Sequence, residues 1–340
     1  MDLNRPAGVF PTSYVITNLG NNAIGLGIDE RLAPNGTVTI GFNLLNSYIL
    51  AALNNGLISC TPDPRAGMVP AYTFAQLPAA GTYPGLQVQV TDVGVGGSLW
   101  YSNGAAWVQM APVVLHQTTI PFISLGSGSV SAPGAITGIA ALPQTYPEAW
   151  CYFPANILAA VQAAGWYYCT FSGVSTGTAY LNTYSGLGQA PTPGTLVPVT
   201  AGQGAFTGDT GEEFGPTVTI NAGLLGTLGQ LRISAAYEQT NNANVKTARV
   251  RYSGNAGTIF LSAANASLAA NGFVASIANK GTVALQQSSL IANAASVVTQ
   301  NVLGTVNSAA AGTLVASLQK ATATDNLVLD SYTVELMARA

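Results

Sequence analysis

Charged side chains are scarce along this chain, and that scarcity limits how its fold can meet solvent. Asp, Glu, Lys and Arg make up 7% of the 340 residues, whereas about a quarter is usual in soluble proteins. None of the four occurs within residues 93–147, where His116 is the one histidine, or within residues 149–208. Because large exposed apolar patches usually mark interfaces, we expect subunits of this chain to cover one another.

The apolar residues follow a pattern typical of short strands. They form 48% of the chain and give a mean hydropathy of +0.34, but the purely apolar stretches span only a few residues each. A membrane-spanning helix needs about 20 such residues, so we expect no membrane insertion. The 38 Gly and 18 Pro, with many Thr, Ser and Asn, are typical of turns between strands. The composition therefore predicts a mainly β fold.

Length and charge balance restrict the organisation and the partners. The chain of 340 residues exceeds the size of about 250–300 residues at which a single core stops growing, so we expect several modules in an elongated molecule. The net charge of −3 and the isoelectric point near 5.0 offer no general attraction for nucleic acid or anionic lipid. We therefore expect neither of these as a partner.

The cysteines give little evidence of a covalent framework. Residues 1–6 lack the basic and apolar pattern of a secretory signal, so we expect synthesis in a reducing cytoplasm. Cys60, Cys151 and Cys169 cannot all pair within one chain, and their spacing matches no zinc site. A bridge between Cys151 and Cys169 is possible, and buried free thiols are the favoured interpretation.

Two domains are predicted in the first third of the chain. In residues 1–66, strand-forming sequences at 13–17 and 37–40 accompany the turn residues Pro34-Asn35-Gly36. Residues 47–55 have one apolar face, which favours a short helix. The second domain, residues 67–112, is predicted as a small β-hairpin module.

Two further domains are predicted in the remainder. Residues 113–205 form a connector or shoulder region, with a short helix at 154–164 and a buried strand at 166–171. Residues 206–340 form a β-sandwich, in which alternating apolar residues place Leu231, Ile233 and Ala235 on one face. We expect its strands at residues 231–237, 247–252, 257–261, 273–278 and 327–336. Residues 240–244 are predicted to join the first two of these as a hairpin.

Two segments resemble modules of bacteriophage virion appendages. The first, residues 77–110, contains Gly81-Thr82-Tyr83-Pro84-Gly85, Val90-Thr91-Asp92-Val93-Gly94 and Trp100-Tyr101-Ser102-Asn103-Gly104 with a second tryptophan at Trp107. It resembles a small β module of tail fibres and tail spikes. In addition, Ser102-Asn103-Gly104 between aromatic-bearing strands is a strong hairpin signal by itself.

The second segment lies in the last predicted domain. It contains the runs Asn221-Ala222-Gly223-Leu224-Leu225-Gly226 and Leu329-Asp330-Ser331-Tyr332-Thr333-Val334-Glu335-Leu336, with residues 237–244 and 246–252 between them. These resemble the C-terminal jelly-roll-like domain of phage fibre and capsid-appendage proteins. Together the two resemblances span about half of the chain, and they imply a modular fibre fold with one or two short helices.

One hydrolase-like motif has no partner residues. Gly173-Val174-Ser175-Thr176-Gly177 fits the Gly-x-Ser-x-Gly nucleophile elbow, which requires a strand-to-helix turn and a later histidine. The only histidine, His116, lies upstream. We therefore interpret the match as chance and expect no catalytic residues.

Asp209, Glu212 and Glu213 form the one acidic cluster in a neutral region. Their oxygens are suitable ligands for calcium, and paired carboxylates also perform glycoside hydrolysis. A solvated loop at the start of the last domain is the favoured interpretation, so no metal or cofactor is predicted. Whether the cluster binds a cation is left open.

Aromatic residues are concentrated in the neutral middle of the chain. They are Trp150, Tyr152, Phe153, Trp166, Tyr167, Tyr168, Tyr180 and Tyr184. Carbohydrate sites often place apolar rings beside polar groups, so these rings are candidates for stacking on sugars. Packing in a core or in a subunit interface is the favoured alternative.

The resemblance and the composition together imply a virion structural protein without enzymatic activity. The expected form is a homotrimeric fibre or spike, assembled in the host cytoplasm and anchored to capsid, neck or tail proteins through residues 1–66. Its last domain would attach to the host surface, with a cell-surface glycan as the possible receptor. The alternative is a capsid decoration or head-fibre protein that stabilises the shell, and a polysaccharide-degrading tailspike is the weakest candidate.

Overall fold

The computed structural model describes the chain in seventeen stretches. They are residues 13–19, 23–25, 31–41, 49, 52, 57–61, 71–131, 134–142, 144–154, 163–175, 178–189, 196–200, 202, 204–267, 270–293, 297–298 and 302–337. The fold is mainly β, as the composition predicts, and the chain divides into two compact units. The first comprises Met1–Thr91 with Leu99–Trp107, and the second comprises Asp92–Ser98 with Val108–Ala340. The predicted division into four domains is finer and stays a prediction.

A small sheet opens the first unit. The sheet consists of β1 (Ser13–Asn18), β4 (Thr37–Gly41) and β5 (Ile58–Thr61). A two-stranded ribbon is formed by β2 (Ile24–Gly25) and β3 (Arg31–Leu32). The three-stranded sheet has the order β4-β1-β5, and β2 pairs with β3. The predicted turn is confirmed, since Asn35 has a φ of 54° and the Gly36 amide donates to the Ala33 carbonyl.

The core of this sheet is formed by buried aliphatic residues and one cysteine. They are Ile16, Leu32, Ile40, Ile49, Ile58 and Cys60. Ile49 and Ala52 are helical, in agreement with the predicted short helix, and the other residues at 47–55 lie outside the described residues.

Residues 71–109 form a separate four-stranded sheet. Its strands are β6 (Ala71–Tyr72), β7 (Gln87–Val90), β8 (Ser98–Ser102) and β9 (Trp107–Gln109), in the order β6-β7-β8-β9, with 3-10 turns at Phe74–Gln76 and Ala80–Thr82. The Asn103 amide donates to the Ala106 carbonyl, and Gly104 has a φ of +89°. The predicted hairpin is therefore confirmed.

The second unit contains the remaining strands. Those before the last domain are β10 (Val113–Gln117), β11 (Phe122–Ser124), β12 (Gly128–Ser131), β13 (Ala135–Thr137), β14 (Glu148–Phe153), β15 (Gly165–Ser175), β16 (Thr178–Tyr184), β17 (Val197–Pro198) and β18 (Gly204–Phe206). The predicted buried strand at 166–171 lies within β15. Residues 155–162 of the predicted helix lie outside the described residues.

The last domain contributes ten strands to the described part of the chain. They are β19 (Glu213–Ile220), β20 (Gln230–Gln239), β21 (Lys246–Tyr252), β22 (Thr258–Asn265), β23 (Ala270–Asn279), β24 (Gln286–Asn293), β25 (Val297–Val298), β26 (Leu303–Gly304), β27 (Gly312–Lys320) and β28 (Leu327–Leu336). All five strands predicted from the alternation are present.

Two sheets form the β-sandwich. The larger has the order β18-β12-β13-β16-β15-β14-β11-β28-β20-β23-β24-β26, with β10 also on β28 and β17 on β16, and the smaller has the order β19-β27-β21-β22-β25. Leu231 and Ile233 of one sheet and Val250 and Tyr252 of the other are buried. The jelly-roll connectivity implied by the resemblance stays a prediction.

The expected hairpin at residues 240–244 is wrong. β20 pairs with β23 and β28, whereas β21 pairs with β22 and β27 in the other sheet. The segment therefore crosses between the sheets. Both strands have apolar inner faces, and opposing these faces across the core buries them better than pairing the strands edge to edge.

The large sheet extends beyond the predicted last domain. β10 and β11 lie in the predicted connector, and both pair with β28. On its other side β11 pairs in parallel with β14. One sheet therefore joins the middle of the chain to the sandwich, and the strands near this junction place the candidate site.

Candidate functional site

Five aromatic side chains lie on one face of the large sheet where β11, β14 and β15 are neighbours. We call them the aromatic ledge: Phe122, Trp150, Tyr152, Trp166 and Tyr168. The strand register brings them together, because Phe122 lies opposite Trp150, Trp150 opposite Tyr168, and Tyr152 opposite Trp166. Alternate residues of a strand point to the same face, so one aromatic at every second position produces a continuous surface of rings.

The rings of the ledge contact one another in defined geometries. Phe122 and Trp150 stack with centroids 5.9 Å apart at 15°, and Phe122 meets Trp166 edge to face at 5.1 Å. Trp150 meets Tyr168 at 6.0 Å, and Tyr152 meets Trp166 at 5.3 Å, both edge to face. These are the separations and orientations that aromatic pairs prefer, so the rings hold each other in place.

The ledge is half-buried and lies beside the edge strand of the smaller sheet. Only Tyr168 is fully buried among the five, and the other four retain partial exposure. The Trp166 indole Nε1 donates to the Phe214 carbonyl of β19 over 2.6 Å. Gly215 follows, and a side chain there would begin 3.5 Å from the Phe122 ring. The ledge is therefore anchored to the sandwich and still accessible.

Acidic groups border the ledge. Glu148 is the only charged residue between positions 93 and 208, and it accepts the hydroxyl hydrogen bond of Tyr168. Burial raises the pKa of Tyr168 to about 12, and the hydrogen bond and charge of Glu148 act in the same direction. Burial also raises the pKa of Tyr152 to about 12, assisted by Asp209 and Glu213 and by a hydrogen bond to Asp209.

The acidic cluster predicted from the sequence separates in the structure. Glu212 forms a bidentate ion pair with Arg251, with distances of 3.0 and 2.6 Å. Desolvation raises the pKa of Glu212, but the hydrogen bonds from Arg251 and Ser317 outweigh it and bring this pKa below its ordinary value. Glu213 is instead buried, and its Oε1 accepts the Ser124 hydroxyl at 2.8 Å. The two carboxylates therefore have separate partners and do not flank a common substrate position.

A solvated loop is thus the wrong interpretation for Glu213. Desolvation raises the pKa of Glu213 to about 8, opposed by the charge of Lys320 and the hydrogen bond from Ser124. Lys320 is buried as well, and its Nζ donates to the Leu125 carbonyl at 2.6 Å. Desolvation lowers the pKa of Lys320 to about 8, opposed by the charge of Glu213. The composition gave no sign of this interior pair, because a sequence shows charges but not their burial.

The remaining predicted aromatic residues lie elsewhere. Phe153, Tyr167 and Tyr184 lie with Cys151 and Cys169 in the hydrophobic core of the large sheet. Tyr180 of β16 is 48% exposed. The eight predicted residues therefore divide between the ledge, the core and solvent. Phe122 was not among them, because its place on the ledge depends on the pairing of β11 with β14.

All three cysteines are buried, and Cys151 and Cys169 are free thiols. Desolvation raises the pKa of Cys169 well above its ordinary value, and a hydrogen bond with Cys151 acts in the same direction. The favoured prediction of buried free thiols agrees with this geometry.

The described part of the Gly-x-Ser-x-Gly motif, residues 173–175, forms the end of β15. Ser175 ends β15 and lies opposite Thr178, the first residue of β16. Residues 176–177 lie outside the described residues. A nucleophile elbow requires a strand followed by a helix, so the backbone here has the wrong geometry for one.

The described residues contain no group of three or more His, Cys, Asp or Glu side chains placed to hold a metal ion. Nor does any helix in the described part of the chain have the length and apolar character to span a membrane.

A polar cavity near β10 was missed by the sequence analysis. It has a volume of about 230 Å³, and its polar lining consists of Asp92, His116, Thr217, Thr219 and Asn221. The strand register of β10 shifts between Val114 and His116, which is typical of a β-bulge that re-aims side chains. A bulge has no clear sequence signal. The sequence does show one histidine and two alternating threonines at 217 and 219, but not that they lie together.

A pair of carboxylates on β20 and β28 was also missed. Glu238 accepts the Tyr146 hydroxyl at 2.8 Å, and the Gln144 amide donates to Asp330 at 3.3 Å. Burial raises the pKa of both carboxyls, and the charge of Asp330 adds to the effect at Glu238. Residues 238 and 330 are far apart in sequence, so only the pairing of β20 with β28 brings them together.

Comparisons with known proteins give no family. No protein-family model matches the chain, and no curated protein matches it in sequence. Among solved structures, the CBM2 module of the evolved Dit of Lactobacillus casei BL23 phage J-1 is 12% identical, with a TM-score of 0.26 over 68% of this chain and 98% of that one.

Two other solved structures show weaker similarity. Lectin I from Ulex europaeus, in complex with the methyl glycoside of α-L-fucose, is 6% identical over 59% of this chain and 96% of that one, with a TM-score of 0.21. A structure of infectious bursal disease virus, Gx strain, is 13% identical over 75% of each chain, with a TM-score of 0.14. These TM-scores are too low for the similarities to support an argument about function.

Proposed function

We propose that this chain is a non-enzymatic structural protein of a bacteriophage particle and that it attaches the particle to carbohydrate on the host surface through the aromatic ledge. The observation that supports carbohydrate binding is the ledge itself, four partly exposed rings and one buried ring held on a single sheet face. Support for the virion assignment comes from the two sequence segments that resemble phage appendage modules.

The chemistry of the ledge suits a sugar better than a purely apolar ligand. A sugar ring has a C–H face that packs on an aromatic ring, and hydroxyl groups at its edge that need hydrogen-bond acceptors. Carboxylates accept several such bonds, and Glu148 and Asp209 lie at the border of the ledge through their contacts with Tyr168 and Tyr152. Binding sites commonly combine apolar walls with a few polar groups in this way.

Attachment through such a site requires several copies. One shallow ledge gives a weak site, and linked weak sites gain affinity through their effective concentration. We therefore propose a homotrimer, supported by the uncharged stretches at residues 93–147 and 149–208. Sedimentation equilibrium of the full chain tests it: a mass three times that of the 34.6 kDa chain is expected, and a monomer at micromolar concentration contradicts it.

Anchoring through residues 1–66 belongs to the same proposal. Electron microscopy of particles that carry this protein is expected to show that end in contact with the neck or tail. Particles assembled with residues 1–66 deleted should lack the protein. Location on the capsid surface would instead favour a decoration protein that stabilises the shell.

The glycan test uses two matched tryptophans. Trp166 and Trp107 are both half-buried, and each indole donates to a backbone carbonyl over 2.6 Å. On an array of bacterial surface oligosaccharides, Trp166→Ala is expected to weaken binding at least about ten-fold, as for a binding hot spot. Trp107→Ala removes an equivalent side chain outside the ledge and should leave binding unchanged.

Three results would contradict the proposal. The unaltered protein could bind no oligosaccharide on the array, or the two tryptophan variants could weaken binding equally. The third result would be enzymatic activity. If the protein shortened a polysaccharide and the Glu212→Ala variant did not, the protein would be a depolymerase and not an attachment protein.

A further inference from the structure

We infer that the aromatic ledge and the polar cavity near His116 are two subsites for one oligosaccharide, a neutral chain of at least three sugar units that lies along β19. This inference rests on the proposed carbohydrate binding and adds a second subsite, a minimum ligand length and a preference for uncharged sugars.

Strand β19 places the two subsites in line. Near its start, the Phe214 carbonyl accepts the Trp166 indole hydrogen bond of the ledge. Farther along the same strand, Thr217 and Thr219 line the cavity. Both threonines are exposed, because Val218 and Ile220 are the β19 residues that enter the sandwich core. One edge strand therefore runs from the ledge to the cavity.

The strand pairing of the large sheet gives the distance between the two subsites. Phe122 of the ledge lies opposite Leu329 of β28, and His116 of the cavity lies opposite Val334 of the same strand. Leu329 and Val334 are five steps apart along the strand, which corresponds to about 17 Å at roughly 3.4 Å per residue. A monosaccharide or disaccharide is too short to reach both subsites, whereas a trisaccharide or longer chain can.

The cavity has the size and the polarity for a single sugar unit. Its volume of about 230 Å³ lies below the roughly 300–1,000 Å³ of pockets that enclose drug-sized ligands. Threonine hydroxyls and the Asn221 amide offer hydrogen bonds of both kinds. Asn221 is itself oriented by Asp92, to which its Nδ2 donates at 3.0 Å.

The charges around the cavity favour a neutral ligand. None of the described residues that line it is Lys or Arg, and Asp92 is acidic. Burial lowers the pKa of His116, which favours the neutral imidazole near pH 7, and its Nε2 lies 3.2 Å from the Thr118 hydroxyl. The facing Tyr332 ring, 5.8 Å away, is uncharged as well. Among the described residues that line the cavity, a phosphorylated or carboxylated sugar would find no cation.

The test measures affinity against ligand length. The probes are a printed array of neutral and anionic bacterial oligosaccharides from one to eight units long, followed by calorimetry on the best-bound series. Thr217→Val with Thr219→Val removes two cavity hydroxyls at exposed positions while keeping the side-chain shape. Thr247→Val makes the same change on β21, which is separated from β19 by β27.

We expect affinity to rise about ten-fold or more between disaccharide and tetrasaccharide, with neutral chains preferred. The double threonine variant should lose this increase and bind short ligands normally, whereas Thr247→Val should behave like the unaltered protein. Trp166→Ala should weaken binding at every length. Equal affinity for all lengths, preference for anionic chains, or an unaffected double variant would overturn the second subsite and leave the ledge intact. Absence of all binding would overturn both proposals.

Discussion

Both faces of the β14–β15 strand pair carry large apolar side chains, but these are buried on one face and partly exposed on the other. On one face Cys151, Phe153 and Tyr167 are buried in a hydrophobic core. On the other, Trp150 and Tyr152 keep part of their rings in solvent. The core face has fewer aromatic rings, since Cys151 and Cys169 alternate with Phe153 and Tyr167, so the exposure of the other face comes from what covers it and not from a lack of apolar side chains. A full core forms over the first, whereas β19 reaches only the border of the second.

Large rings therefore form a core only where a second apolar surface covers them. A ring that is only half-covered contributes less burial free energy, which scales with the apolar area removed from water. It keeps the ability to contact a ligand. The stability of the protein and its binding should therefore respond to opposite faces of the same two strands.

Removing a ring from the core face should lower the stability of the protein most. Phe153→Ala removes a fully buried ring, and we expect a loss of about 3–5 kcal/mol in the free energy of unfolding. Tyr180→Ala, at a half-exposed position on β16, is the control and should change it by less than about 0.5 kcal/mol. Urea unfolding followed by circular dichroism measures both. A small effect of Phe153→Ala would mean that this face is not the core.

The second effect concerns the ledge face. Trp150→Ala removes a half-buried ring that stacks on Phe122 at 5.9 Å, so the expected loss is about 2 kcal/mol, smaller than for Phe153. Trp150→Phe keeps an aromatic partner and should recover about half of the loss. If Trp150→Ala destabilised the protein as strongly as Phe153→Ala, the ledge would be a second core instead of a binding surface.

The sequence predicted individual strands well and their neighbours poorly. Alternation located β20, β21 and β28 because apolar inner faces recur at every second residue. It could not show that residues 240–244 cross between sheets, because pairing depends on partners distant in the chain. The ledge has the same origin: Trp150 and Trp166 were candidates from composition, but Phe122 joins them only through the pairing of β11 with β14.

The sequence also did not predict which charged side chains are buried. Glu212 and Glu213 are neighbours and were interpreted together, yet one meets Arg251 and the other meets Ser124. Alternation along a strand separates adjacent side chains, but which face is buried depends on the sheet that covers it. Glu213 shares its surroundings with Lys320, a partner more than a hundred residues away in the chain.

A third prediction uses the pH dependence of the buried residues Glu213 and Lys320. Burial raises the pKa of Glu213 to about 8, so its protonated form favours the folded state. Its contribution to stability is complete below the pKa of the unfolded chain, roughly 4.3, and is lost as pH rises toward the folded value. The stability of the unaltered protein, relative to Glu213→Gln, should therefore fall between pH 5 and pH 8.

Urea unfolding at several pH values measures this difference. Glutamine keeps the acceptor for Ser124 and removes only the titration. Glu335→Gln is the control, since Glu335 lies in a partly exposed pair with Arg232 at 3.6 Å, and such pairs contribute little to stability. Parallel pH profiles for the unaltered protein and Glu213→Gln would show that Glu213 is ionised in the fold, with Lys320 charged beside it.

A conservative substitution of Tyr152 tests whether the rings of the ledge and the polar groups at its rim have separate roles. Tyr152→Phe keeps the ring that meets Trp166 and removes the hydroxyl that donates to Asp209. A hydrogen bond of this kind contributes about 1 kcal/mol when partly exposed, and unfolding free energies should show that loss. Because the ring face is unchanged, stacking of a sugar on the ledge should persist, while hydrogen bonding by a freed Asp209 should alter which oligosaccharides bind.

A changed array profile with unchanged affinity for the best ligand would support separate roles for rings and rim, whereas loss of all binding would assign recognition to the Tyr152 hydroxyl.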